Sequence, residues 1–135
     1  MTSDGAIERE ARCSCGQLRA TVRGEPLRIS VCHCHACQRR TGSVFGMQAR
    51  FARAGATFSG ESTRWSRTGE SGGTATFHFC PRCGAIVWYE LEGFPEVVAI
   101  PVGAFADETF PPPRISVYEN RRHPWVRMPD GIDLD

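Results

Sequence analysis

The sequence lacks any long apolar run. Its best candidate, VVAIPVGAF at 97–105, is interrupted by Pro101 and Gly103. It is far shorter than the ~18 apolar residues of a membrane-spanning helix. The first ten residues, MTSDGAIERE, also lack the apolar segment of a secretory signal. We therefore expect no membrane partner and a cytoplasmic location.

The sequence also lacks a strong charge of either sign. Its formal net charge is +1 with 23% charged residues, which argues against nucleic acid as the main partner. A hydrophobic content of 41% is sufficient for a core and argues against disorder. No internal repeat or second domain is evident, so residues 1–135 are expected to form a single domain.

Long helices are not expected either, because the chain contains 14 glycines and 9 prolines. Short segments instead alternate apolar and polar residues, as β-strands do. In LRISV, for example, Leu27, Ile29 and Val31 are expected to share one face. One short helix is predicted at about residues 35–41. The predicted fold class is mainly β, a small and mostly antiparallel domain. Its other strand candidates are LRATV, TATFHF, AIVWYELE, EVVAIPV and RISVYE.

Cysteine is abundant by comparison, with seven residues in three groups. An odd number does not suit a closed disulfide framework, and a cytoplasmic protein keeps its thiols reduced. Metal-bound or reactive cysteines are therefore expected. The groups are Cys13 and Cys15 in CSCG, Cys32, Cys34 and Cys37 in CHCHAC, and Cys80 and Cys83 in CPRCG.

Two of these groups predict a structural zinc site. In CPRCG, Cys80 and Cys83 form a C-x-x-C turn that brings two sulfurs to one metal, and the following glycine permits an unusual backbone angle. In an extended segment Cys13 and Cys15 point the same way and supply two more sulfurs. Four thiolates form a closed zinc site. The alternatives are a redox C-x-x-C, which needs a thioredoxin-like context, and buried free cysteines.

The third group, CHCHAC, predicts a metal site with an open position. Cys32 and Cys34 share a strand face, and Cys37 returns as the chain turns, so three ligands leave room for water or a substrate thiolate. Alternatively, a histidine closes the site. His33 should point away if the strand persists, so His35 is the better candidate. A metal-free thiol cluster is a further alternative, and iron–sulfur spacings do not match.

Basic residues follow this group directly. Arg39 and Arg40 precede a Thr-Gly-Ser turn, and guanidinium groups bind carboxylates in bidentate fashion. They would also offset the negative charge of a three-thiolate zinc, so an anionic thiol is a suitable ligand. The alternative is a pair of solvated surface arginines.

Four segments resemble one known family. CSCGQLRATV, CHCHACQRRTGSVF, FHFCPRCGAIVWYE and ISVYENRRHPWVRMPDG occur in order and span residues 12 to about 131. Together they resemble the glutathione-dependent formaldehyde-activating enzyme (Gfa) and centromere protein V family, a set of Mss4-like β folds. This chain has Gln38 where the family often carries a basic residue.

The resemblance implies two zinc ions and a carbon–sulfur lyase activity. The family's structural zinc corresponds to Cys13, Cys15, Cys80 and Cys83, and its second zinc corresponds to Cys32, Cys34 and Cys37, the predicted catalytic group. The implied reaction condenses formaldehyde with glutathione, the co-substrate, to S-hydroxymethylglutathione. The implied partners are a small thiol and a small aldehyde.

His33, His35 and His78 are candidates for proton transfer to the product oxygen, and the alternative for each is a surface or core histidine. Two other functions stay open. One is a zinc-stabilised binding module that uses the segment RRHPW, residues 121–125, as a partner surface. The other is a thiol redox or metal-handling protein.

Overall fold

A computed structural model of the protein describes residues 6–69 and 71–135. Residues 1–5 of the N-terminal segment considered above lie outside the described residues. The strands are β1 (Glu8–Arg12), β2 (Arg19–Arg23), β3 (Arg28–Cys32), β4 (Gly46–Ala52), β5 (Ala56–Ser59), β6 (Thr63–Thr68), β7 (Thr74–Phe79), β8 (Ile86–Leu91), β9 (Val97–Pro101), β10 (Ile115–Val117) and β11 (Asp133–Leu134). The helix is α1 (His35–Thr41), and short 3-10 helices span Arg53–Gly55, Val102–Phe105 and Glu119–Arg121.

The predicted fold class is confirmed, because the structure is mainly β and most strand pairs are antiparallel. The exception is β10, which runs parallel to both β3 and β11. The short helix also lies at the predicted position. Within the described residues, no helix has the length and apolar character needed to cross a membrane.

The strands form two sheets that pack face to face. One has three strands in the order β1-β2-β5, and the other has eight in the order β11-β10-β3-β4-β9-β8-β7-β6. The core between them is fully buried and apolar, which is the main driving force for folding. It includes Leu18 just before β2, Ala20 and Val22 on β2, and four residues of the large sheet, Ile29, Phe51, Val98 and Ile100.

One strand position differs from the prediction. Leu27 was expected to share the buried face of Ile29 and Val31, but it is 60% exposed while those two are buried. Strand β3 begins only at Arg28, and Leu27 precedes the regular ladder. The alternation therefore holds from Arg28 onward and fails one residue earlier.

The large sheet has a second face, opposite the core, that carries polar residues. Side chains alternate along a strand, so Ile29 and Val31 face the core while Arg28, Ser30 and Cys32 face the other way. Helix α1 follows β3 at this side and ends at Thr41, and the residue after it, Gly42, has a φ of +73°, the left-handed conformation common at helix C-termini. The helix thus borders the polar face of the sheet.

Candidate metal centres and cavity

One cluster of four sulfurs joins the two sheets. Cys13 and Cys15 follow β1 of the small sheet, and Cys80 and Cys83 lie between β7 and β8 of the large sheet. All four Sγ atoms lie within 4.8 Å of one another. Cys15 Sγ is 3.6 Å from the sulfurs of both Cys13 and Cys80. Tetrahedral zinc, with Zn–S near 2.3 Å, separates its sulfurs by about 3.8 Å, so these residues fit a zinc ion.

Uncharged hydrogen-bond donors surround these sulfurs. The backbone amide of Leu18 donates to Cys13 Sγ over 3.3 Å, and that of Arg82 donates to Cys80 Sγ over 3.3 Å. The side chain of Gln17 adds a donor, with Nε2 3.0 Å from Cys80 Sγ. Such contacts favour a thiolate.

The turns that carry the cysteine pairs depend on glycine. Gly16 and Gly84 follow the second cysteine of each pair with φ of +84° and +81°, a conformation that other residues adopt only with strain. Burial opposes ionisation of Cys80, but the Gln17 side chain and the backbone amides of its turn lower the pKa of this thiol to about 6. Cys80 is therefore suited to bind a metal as a thiolate.

The second cluster lies where β3 meets α1. Cys32 ends β3, Cys34 precedes the helix, and Cys37 lies in its first turn. Cys34 Sγ accepts a hydrogen bond from the Cys37 amide over 3.4 Å and so acts as the helix N-cap. The three sulfurs lie within 4.8 Å of one another. Within residues 6–69 and 71–135, no histidine or carboxylate joins them, so the set fits a zinc ion with one position left for another ligand.

Two guanidinium groups approach this second cluster. Arg40 Nη2 is 3.9 Å and Arg67 Nη2 is 3.8 Å from Cys37 Sγ. The contact with Cys32 is the main cause that lowers the pKa of Cys37 to about 5, and Arg40 lowers it further against the effect of burial. The same contact and burial raise the pKa of Cys32. The surroundings of Cys37 thus stabilise the negative charge of its thiolate.

A cavity of about 660 Å³ lies on the polar face of the large sheet, beside this cluster. Cys32 and Cys37 line it, and its volume falls in the range usual for small-molecule sites. The lining is rich in positive charge, and Asp135 is the single acidic side chain among its described residues. The arginines that line it are Arg28, Arg40, Arg50 and Arg67.

The structure separates the two arginines predicted to bind the co-substrate. Arg40 lines the cavity, and its guanidinium lies 4.9 Å from the ring centroid of Phe77 and 5.5 Å from that of Tyr89. Arg39 is exposed and does not line the cavity. Arg67 was not predicted, because it lies on β6, 30 residues from Cys37 in the sequence, and the two meet only in the folded sheet.

The three candidate histidines all lie outside the cavity lining. His33 is fully buried and its Nε2 lies 2.8 Å from Ser116 Oγ. His35 is exposed, with Nδ1 3.3 Å from an Arg121 nitrogen. His78 lies 2.8 Å from Glu90 Oε1. Each histidine therefore has a partner elsewhere, and none is placed to reach a ligand in the cavity.

A tyrosine, unlike the histidines, lies in the cavity wall. Tyr89 lines the cavity, is only 6% exposed and lies on β8 beside Arg40. Burial raises the pKa of its phenol, and the positive charge of Arg40 only partly offsets that effect. Tyr89 is therefore a neutral phenol in the wall of the cavity. The sequence reasoning missed it.

The segment 121–125 is attached to the helix of the second cluster. His123 Nε2 lies 3.1 Å from Gln38 Oε1, and Gln38 Nε2 donates to the His33 carbonyl over 2.8 Å. Trp125 in the same segment is 68% exposed. Gln38 thus connects the predicted partner surface to the CHCHAC turn.

Two packed β-sheets, a four-sulfur cluster between them and a three-sulfur cluster in a cavity define a β protein with two candidate zinc sites. Residues 8–121 match the family described as glutathione-dependent formaldehyde-activating enzyme. The match covers most of the chain, so the protein belongs to this family.

A solved structure supports the fold. A Rhodobacter sphaeroides protein, from a structural genomics crystal structure, superposes with a TM-score of 0.56 at 21% identity, covering 76% of this chain and 91% of that one. At this identity the similarity concerns the fold alone. No curated protein matches the chain.

Proposed function

We propose that the protein is a zinc-dependent carbon–sulfur lyase that joins a glutathione-like thiol to a small aldehyde, as an S-hydroxymethylglutathione synthase does. The observation that supports this most is the position of Cys32 and Cys37 in the wall of a cavity of ligand size. A sulfur cluster that served the fold alone would not need this access. Family membership supports the same reaction class.

The thiol end of the substrate belongs at the three-cysteine cluster. When bound to Cys32, Cys34 and Cys37, zinc supplies a position that favours the deprotonated form of a thiol. Arg40 and Arg67 contribute positive charge within 4 Å of Cys37 Sγ. Their charge offsets the negative charge of three protein thiolates and one substrate thiolate. The same guanidinium groups can also bind a carboxylate of the substrate that lies near its sulfur.

The aldehyde end needs a proton donor. In the reaction a new carbon–sulfur bond forms, the carbonyl π bond breaks, and the proton lost by the thiol is replaced by one on the product oxygen. We assign the donor role to Tyr89, because it lines the cavity beside Arg40 and carries a neutral phenol. General-acid groups contribute about 10²–10⁴-fold to such steps. The three histidines have no comparable position.

Tyr89→Phe is the matched test of that role, since it removes the hydroxyl and keeps the ring. We expect the catalysed rate to fall at least about tenfold while glutathione affinity changes little. Stopped-flow rates and calorimetry separate the two effects. Equal loss of rate in Tyr118→Phe, which alters another cavity-lining tyrosine, would contradict a specific role for Tyr89.

The activity is tested directly by the rate of S-hydroxymethylglutathione formation from glutathione and formaldehyde. Zinc-loaded protein should raise this rate above the spontaneous one, and Cys34→Ser should remove the increment. A protein that never exceeds the spontaneous rate would favour the binding-module or the metal-handling interpretation instead.

A further inference from the structure

Two arginines at the far end of the cavity face each other, and no carboxylate of the described residues pairs with them. Arg28 on β3 and Arg50 on β4 are direct cross-strand partners, and both line the cavity. Like charges in this position destabilise a sheet. Burial lowers the pKa of Arg50, and the positive charge of Arg28 lowers it further. The repulsion between Arg28 and Arg50 therefore lowers the stability of the folded state locally.

Nothing in the described part of the chain neutralises this pair. Neither arginine forms an ion pair with a carboxylate of residues 6–69 or 71–135. The Nε atom of Arg28 is buried and has no hydrogen-bond partner. Arg50 lies over the ring of Phe94 at 4.9 Å, which fixes its position without offsetting its charge. An anionic ligand would accept a hydrogen bond from Arg28 Nε and would offset the positive charges of Arg28 and Arg50.

The pair is separate from the arginines at the sulfur cluster. Arg28 and Cys32 are four residues apart on the same face of β3, a distance of about 13 Å. Ser30 lies between them, and its hydroxyl accepts a hydrogen bond from Gln48 Nε2 over 2.8 Å. Arg40 and Arg67, by contrast, lie within 4 Å of Cys37 Sγ. The cavity thus has a proximal and a distal cationic group along one axis.

We propose that Arg28 and Arg50 form a distal anion site that binds an acidic group at the far end of the thiol substrate. This inference rests on the proposed function, because it places the substrate sulfur at Cys32 and Cys37. It defines the substrate class as an elongated thiol with a terminal carboxylate well removed from the sulfur. A short mercapto acid engages only the proximal arginines.

A set of ω-mercapto acids of different length tests how far from the sulfur the carboxylate must lie to reach this site. We compare 8-mercaptooctanoate with 8-mercaptooctanol, and 3-mercaptopropionate with 3-mercaptopropanol, by calorimetry on the zinc-loaded protein. The alcohols keep chain length and thiol, so each pair isolates the carboxylate. We expect the long acid to bind at least about tenfold more tightly than the long alcohol, since a guanidinium–carboxylate contact is worth that much.

Variants assign the effect to the distal pair. Arg28→Gln and Arg50→Gln should each remove most of the long acid's advantage and leave that of the short acid unchanged. Arg39→Gln, which alters an exposed arginine outside the cavity, should change neither. Melting temperatures of the two distal variants should equal or exceed that of the wild type, because each substitution removes repulsion.

The outcomes separate this inference from the function on which it rests. If even the alcohols fail to bind, the thiol site at the three-cysteine cluster is wrong. If the alcohols bind and the long acid has no advantage in the wild type, the distal site is wrong, whatever the variants do. An advantage that persists in both Arg28→Gln and Arg50→Gln would also overturn it.

Discussion

The two cysteine clusters differ in what surrounds their sulfur atoms. At the four-cysteine cluster the donors are uncharged, namely two backbone amides and the amide of Gln17. At the three-cysteine cluster, the side chains of Arg40 and Arg67 approach Cys37, and a cavity lies beside it. The first joins the two sheets, and the second lies where β3, an interior strand of the large sheet, meets α1.

This contrast fits the two different roles proposed for the same chemical group. Four thiolates satisfy a zinc ion completely, and neutral donors stabilise them without attracting a further anion. Three thiolates leave a position, and fixed positive charge beside it favours an anionic ligand. The surroundings of the sulfurs, more than their number alone, therefore distinguish the proposed structural site from the proposed substrate site.

The largest effect is expected from Cys80→Ser. This change removes one of four ligands that join the sheets, and zinc binding in such sites contributes about 10–16 kcal/mol. Because whole proteins are stable by only ~5–15 kcal/mol, we expect loss of the folded state. Circular dichroism and thermal melting with zinc present measure it. A variant that melts like the wild type would contradict a structural role for the four-cysteine cluster.

Cys34→Ser tests the other cluster with a smaller expected effect on stability. Serine is a favoured N-cap residue, so it replaces the hydrogen bond that Cys34 accepts at the start of α1. We expect a folded β protein that has lost one of two zinc ions. Metal analysis beside circular dichroism checks this. Unfolding of Cys34→Ser together with a stable Cys80→Ser would mean that the two roles are reversed.

The third prediction compares neighbouring arginines. Arg40→Gln removes a guanidinium from the cavity, whereas Arg39→Gln removes an exposed one. Contacts of this type contribute roughly 1.5–3 kcal/mol, so glutathione affinity should fall about tenfold or more in the first variant and remain unchanged in the second. Calorimetry measures both. Equal losses would indicate a general effect of net charge.

The sequence predicted the parts of the fold that depend on local patterns. Alternation placed Ile29 and Val31 in the core, and the same pattern already implied that Arg28, Ser30 and Cys32 share the opposite face. That second inference was available from the residues RISVC alone. The cysteine spacing likewise predicted both sulfur clusters, which the structure brings together.

The sequence could not predict features that depend on contacts across the sheet. Arg67 meets Cys37 only because β6 pairs with β7 and β7 with β8, which brings distant segments together. Tyr89 was missed for another reason. Strand β8 is buried on both faces around Val87, Trp88 and Tyr89, so alternation does not reveal which side chain faces the cavity.

The smallest expected effect concerns the neutral donor at the four-cysteine cluster. Gln17 Nε2 donates to Cys80 Sγ over 3.0 Å, and Gln17 Oε1 accepts from the Glu61 amide over 2.9 Å. Such outer partners typically contribute 10–100-fold to metal affinity. Gln17→Ala should therefore leave the protein folded, but zinc at the four-cysteine cluster should be lost to a competing chelator about tenfold more readily.

A second glutamine provides the control for that change. Gln38 donates to a backbone carbonyl near the three-cysteine cluster, and none of its described contacts reaches a sulfur. Gln38→Ala should thus leave the retention of zinc at the four-cysteine cluster unchanged. If Gln17→Ala had no effect on that retention either, neutral hydrogen bonds would not stabilise the structural thiolates. The contrast between the two clusters would then reduce to ligand number and to the arginines beside Cys37.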